Sequence, residues 1–111
     1  MVSLEAYRKE ALALPETSEV EHFGMLAFQR GKTRFAAFDP KKGALSLRLA
    51  MTDPVRAEGI AQGVLVPAPG KYGAEGWTTV DLDRMEWDEF AELLVSAHGL
   101  ATPKGRPKPK A

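Results

Sequence analysis

The sequence predicts an α+β domain: an antiparallel β-sheet of about five strands, with helices from both ends of the chain packed on one face. Three observations predict it. Short runs that alternate apolar and polar residues follow one another across tight turns marked by glycine or proline, which joins consecutive strands antiparallel. Each run has one apolar face, so one side of the sheet must be covered. Near each terminus, apolar residues recur at steps of three and four, the period of an amphipathic helix.

Taken in order, Ser3 is a good N-cap, and Glu5 sits in the first turn, where the helix dipole favours an anion. Leu4, Tyr7, Ala11 and Leu14 form the stripe of a helix that Pro15 stops. Pro15 to Gly24 is polar and predicts a connection. Met25 to Arg30 is a strand with Leu26 and Phe28 on one face, and Gly31-Lys32 supplies a two-residue hairpin turn. Thr33 to Asp39 carries Phe35 and Phe38 on opposite parities, which leaves its facing open. Pro40 to Gly43 turns the chain into Ala44 to Ala50, where Leu45, Leu47 and Leu49 point inward and Ser46 and Arg48 outward.

Asp53-Pro54 reads as an N-cap followed by proline at the first helical position, predicting a short helix to about Gln62 that Gly63 ends. Val64 to Val66, cut off by Pro67 and Pro69, has the composition of an edge strand. Gly70 to Gly76 is a glycine-rich connection. The strand after it alternates Thr78, Val80 and Leu82 against Trp77, Thr79 and Asp81. Trp87, Phe90, Leu93, Leu94 and Ala97 give the strongest helical stripe, with Gly99 as its expected stop.

The chain's 111 residues are one domain's worth, enough to bury roughly two thirds of the unfolded surface. There is no cysteine, which removes disulfides and thiolate chemistry together. The opening MVSLEAYRKEALAL is charged within its first ten residues and does not have the apolar run of a signal peptide. Nothing approaches the ~20 apolar residues of a membrane-spanning helix. A cytoplasmic, monomeric protein is the expectation.

Fifteen basic and fifteen acidic residues cancel, but unevenly. Lys104, Arg106, Lys108 and Lys110 crowd the end, leaving eleven bases against fifteen acids in the rest. Residues 1–101 are read as the folded domain. The stretch 102–111, with three prolines and no large apolar side chain, reads as a disordered basic tail.

Arg48 and Trp77 are the leading candidates for a site, because the alternation puts both on the polar face of the sheet. An aromatic ring beside a guanidinium suits base stacking or a small anionic ligand. The alternative is that Trp77 packs under the 67–76 stretch with Arg48 as a structural lid. Lys32, Arg34 and Lys71 are further candidate contacts, and the four tail cations could add to them. His22 and His98 are too far apart in sequence to suggest a pair and fit solvated or capping roles. Glu5, Glu10, Glu16, Glu19 and Glu21 fit a solvated helix face rather than a metal site. Gly70, Gly73 and Gly76 match no nucleotide fingerprint, and Ser18, Ser46 and Ser96 lack a nucleophile-elbow setting. No enzyme, cofactor or metal is expected.

Several landmarks together resemble the MmcQ/YjbR family. They are Leu14-Pro15-Glu16, Phe23-Gly24, Gly31-Lys32 with Phe35, Ser46-Leu47-Arg48 and, most specifically, Trp77-Thr78-Thr79-Val80-Asp81-Leu82-Asp83. The resemblance covers residues 4 to 100 and implies a CyaY-like fold, a helix at each end of an antiparallel sheet. Family members are commonly labelled predicted DNA-binding proteins, with function largely uncharacterised, which makes DNA the first candidate partner. A small-molecule or protein partner around Trp77 and the 70–76 loop is the alternative. This chain departs from the family pattern before the tryptophan: Gly73, Ala74, Glu75 and Gly76 stand where an asparagine-lysine pair and a histidine or similar polar residue are typical.

Overall fold

The computed structural model describes residues 2–22 and 24–101. Its elements run α1 (Leu4–Ala13), β1 (Thr17–His22), β2 (Met25–Arg30), β3 (Thr33–Asp39), β4 (Ala44–Arg48), α2 (Pro54–Ala61), β5 (Leu65–Pro67), α3 (Gly70–Ala74), β6 (Trp77–Val80) and α4 (Trp87–Leu100). The strands form one six-stranded sheet in the order β1-β2-β3-β4-β6-β5, antiparallel throughout. Among the described residues no helix is long and apolar enough to cross a membrane.

The predicted caps form. The Ser3 side chain accepts from the Ala6 amide at 3.0 Å, and the Asp53 carboxylate accepts from the Val55 and Arg56 amides with Pro54 opening α2. Alternation in β4 also resolves as predicted: Leu45, Leu47 and Leu49 are sealed from water, while Ser46 and Arg48 are half-buried on the other face. Helix α4 lays Phe90, Leu93, Leu94 and Ala97 across β3 and β4, and Tyr7 of α1 meets Phe28 and Phe90 edge-on.

Several expectations are corrected, and the open facing of β3 is resolved. Pro15 to Gly24 is not only a connection, because Thr17–His22 pairs with β2 along its whole length. Its one apolar residue, Val20, gives no hydrophobic alternation, and polar, charged side chains are what an exposed edge strand carries. The ambiguous facing of β3 has a cause in a register shift opposite Phe28/Gln29: Phe28 pairs with Ala36 and Gln29 with Arg34, leaving Phe35 as an extra residue. Phe35 and Ala36 are consequently both buried. The 70–76 stretch contains a helical turn, α3, and α4 continues through Gly99 to Leu100.

His98 is a further correction. It is 7% exposed, with Nε2 2.6 Å from the Pro15 carbonyl oxygen and its ring edge-on to Phe35. The carbonyl can only accept, so this nitrogen carries the proton. The Arg30 guanidinium donates to the His98 carbonyl at 3.2 Å and pairs with Glu16 at 3.3 Å, so one cluster fastens the end of α4 to the turn between α1 and β1. The glutamates predicted to share a helix face are divided among α1, the turn after it and the β1 edge, where Glu19 pairs with Arg8 at 2.9 Å. The four tail cations lie outside the described residues.

Candidate functional site

Helices α1, α2 and α4 cover one face of the sheet, and the other face is open across its centre. A row of small side chains crosses that centre. Ala27 pairs with Ala37, Ala37 with Ser46, and Ser46 with Thr79, so four adjacent strands each place a small residue side by side. Mostly bulkier residues stand two or three positions away along the strands in both directions. Arg48 pairs with Trp77 and Gln29 with Arg34 at one end, while Asp39 pairs with Ala44 at the other, next to Met25. The result is a trough of about 530 Å3 over the small row.

The flank beyond β6 is built by the segment from Ala68 to Gly76. The Ala68 amide donates to the Trp77 carbonyl at 2.9 Å, which folds the segment back beside the strand. Helix α3 then carries Tyr72, 63% exposed, to the trough, with Glu75 below it. Gly76 has φ of 100°, and a Cβ there would overlap the Leu49 carbonyl oxygen, so this position admits only glycine without distortion. Its own carbonyl accepts from the Leu49 amide at 2.8 Å and the Thr78 hydroxyl at 3.0 Å. Thr78 in turn accepts from the Nε of Arg56, a buried arginine of α2, at 3.2 Å. Both residues flanking Trp77 are thereby held by fixed bonds.

Arg48 and Trp77 are cross-strand partners on the open face, as the alternation requires. Trp77 is half-buried and forms a wall of the trough. It stands beside the 68–76 segment without being sealed by it. The Arg48 Nε donates to the Glu75 carbonyl at 3.1 Å, so Arg48 acts as a strut holding that segment down. Arg34 lines the trough. Lys71, on the exposed side of α3, and Lys32, at the β2–β3 turn, are outside its lining.

Sequence reasoning missed the floor and the second aromatic. Ala27, Ala37, Ser46 and Thr79 all occupy outward positions of their strands, a coincidence visible in the sequence once the pairing is known. Tyr72 gave no signal, because its stretch reads as a loop. The lining charges balance, two bases, Arg34 and Lys42, against two acids, Asp39 and Glu75. Ser46 and Thr79 have their hydroxyls 3.4 Å apart and are each other's side-chain partner among the described residues. No group of three or more His, Cys, Asp or Glu side chains among the described residues could hold a metal ion.

Another concavity, about 360 Å3, lies at the start of α1 between Leu4, Leu26 and Phe38 on the helix-covered face. Tyr7 is buried at its base with a hydroxyl that has no partner among the described residues. Burial, and after it the charge of Glu19, holds the Tyr7 phenol well above the ordinary tyrosine range.

No curated protein matches the chain. Among solved structures, the crystal structure of Deinococcus radiodurans protein DR2400, described by a DUF419 domain, shares the fold with a TM-score of 0.76 and 28% identity, over 97% of this chain and 84% of that one. The YjbR family model matches residues 12–100, from the last turn of α1 to the end of α4. On that match the chain belongs to the YjbR family.

Proposed function

We propose that this protein is a non-enzymatic, cytoplasmic binding module that takes a small ligand in the trough on its open sheet face. The observation that carries this reading is the row of four small residues between Trp77 and the opposite wall, which turns a flat sheet face into a concavity. Its volume of about 530 Å3 falls in the range of small-molecule pockets, roughly 300–1,000 Å3. Aromatic walls with a few polar groups on the floor are the usual composition of such sites. Fixed bonds on both sides of Trp77 favour a pre-formed pocket, which lowers the ordering cost of binding.

A second reading, weak nucleic-acid binding, draws on Trp77 with Arg34, on Lys32 and Lys71 nearby in sequence, and on Lys104, Arg106, Lys108 and Lys110. Against it stands the net negative charge of the remaining chain, which gives no long-range attraction to phosphate. Heteronuclear NMR separates the two. Titration with aromatic fragments should shift the resonances of Ala27, Ala37, Trp77 and Thr79, with little dependence on salt. Titration with single- and double-stranded oligonucleotides should leave them unmoved. Oligonucleotide binding that collapses with salt, with the fragments silent, would replace the first reading by the second.

A further inference from the structure

The trough has a chemical asymmetry that bears on what it would hold, given the small-ligand reading above. One end of its floor is methyl, where Ala37 is nearly enclosed and Ala27 wholly so, and the other is hydroxyl, from the half-buried Ser46 and Thr79. We infer that its ligand is an uncharged heteroaromatic ring system of the nucleobase or nucleoside class, lying flat on the floor with a hydrogen-bonding edge toward Ser46 and Thr79.

Three features carry this. Ala27 is sealed by its neighbours, so the open part of the row runs from Ala37 to Thr79, two strand spacings of ~4.8 Å or about 10 Å, with no side chain larger than threonine, which suits a plate better than a branched or globular ligand. The hydroxyls of Ser46 and Thr79, 3.4 Å apart, lie beyond the usual 2.5–3.0 Å of an O–H···O bond. Each hydroxyl has one donor and two acceptor sites, so this long contact leaves most of that capacity unused. A pure hydrocarbon ring would cover these groups without bonding them, a penalty that selects for a ring with donors and acceptors on its edge. Trp77 and Tyr72 meanwhile offer aromatic surfaces on the flank for offset or edge contact.

Charge decides the rest. Arg34 and Lys42 are matched by Asp39 and Glu75 around the trough, and Arg48 is committed to the Glu75 carbonyl. The lining residues therefore carry no net positive charge with which to offset the desolvation of a phosphate. The base or nucleoside should therefore bind as well as its phosphate ester.

The test titrates isotope-labelled full-length protein with three probes: adenosine, adenosine 5′-monophosphate and naphthalene-2-sulfonate. Adenosine should shift the Ala27 and Ala37 methyls and the Trp77 indole N–H, and the monophosphate should bind within roughly threefold of it. Ser46→Ala with Thr79→Val should weaken adenosine by roughly tenfold or more, the loss of two neutral hydrogen bonds. Both positions are half-buried on the open face, and thermal melts check that the variant is folded; Ser46→Ala alone serves if it is not. Naphthalene-2-sulfonate shifting the trough while adenosine does not would overturn the ligand class and leave the site standing. A monophosphate bound far more tightly than adenosine would overturn the uncharged class. A folded variant with unchanged adenosine affinity would overturn the role of the hydroxyls. Silence of all three probes at the trough would overturn the site itself.

Discussion

Substituting Gly76 by alanine tests whether the wall of the trough is held as described. Gly76 has φ of 100°, outside the region L-residues favour, and its added methyl would run into the Leu49 backbone carbonyl. Backbone in such a conformation costs a non-glycine residue ~1–3 kcal/mol. Relieving the overlap must draw the end of β4 away from the start of β6. That movement weakens the Leu49 amide bond and the Thr78 hydroxyl bond to the Gly76 carbonyl, each worth ~0.5–1.5 kcal/mol. The sum is a loss of ~2–6 kcal/mol. Gly43→Ala is the control, because Gly43 also has positive φ, 63°, yet nothing lies within 4 Å of the added methyl. It should lose only the conformational part, ~1–2 kcal/mol. Urea unfolding gives both numbers, and with a slope of ~2 kcal/mol/M a loss of ~4 kcal/mol moves the midpoint by ~2 M. Equal losses at the two positions would refute the close approach of Gly76 to Leu49.

Leu47→Ala and Leu94→Ala should each cost ~2–5 kcal/mol, since both are fully enclosed, whereas Leu26→Ala, at 43% exposure, should cost far less in the same urea series. Tyr7→Phe removes a buried hydroxyl without a described partner and should leave stability unchanged or raise it by ~1 kcal/mol. Because the folded Tyr7 phenol is raised above its ordinary value of 10.0, its share of stability is complete below that pH and is lost as the pH climbs toward the folded value. Alkaline melts should accordingly fall more gently for Tyr7→Phe, by up to ~1.4 kcal/mol per pH unit. A double-mutant cycle of Arg56→Met and Thr78→Val should return a coupling of ~0.5–3 kcal/mol, and additive losses would argue against that buried bond.

The elements legible from sequence were those whose local signal agrees with their burial. Leu45, Leu47 and Leu49 alternate because β4 is central and covered on one face only, and Asp53-Pro54 caps α2 with groups that need no tertiary context. What escaped depended on distant residues. Thr17–His22 becomes a strand because β2 offers it an edge, and its own residues announce no face. Phe35 confuses the parity of β3 because a register shift places it beside the residue that should replace it. Tyr72 reaches the site only after Arg48 and the Ala68 amide fold its segment back. For the site, alternation placed Arg48 and Trp77 on one face, and pairing then made them direct neighbours. The floor was illegible because small residues are recognised by what stands around them. Arg48 was open to two readings, a ligand contact or a structural lid, because a strand-face arginine in sequence does not reveal its bond to a loop carbonyl.

The open face between Trp77 and Met25 is the proposed ligand site. The most direct measurement is a crystal soak with adenosine and a set of aromatic fragments, read as difference density. Planar density is expected over Ala37 with one edge at the Ser46 and Thr79 hydroxyls, flanked by Trp77 and Tyr72, and weaker or absent in crystals of Trp77→Ala. Density confined to the groove between Leu4, Leu26 and Phe38, with the sheet face left empty, would contradict it.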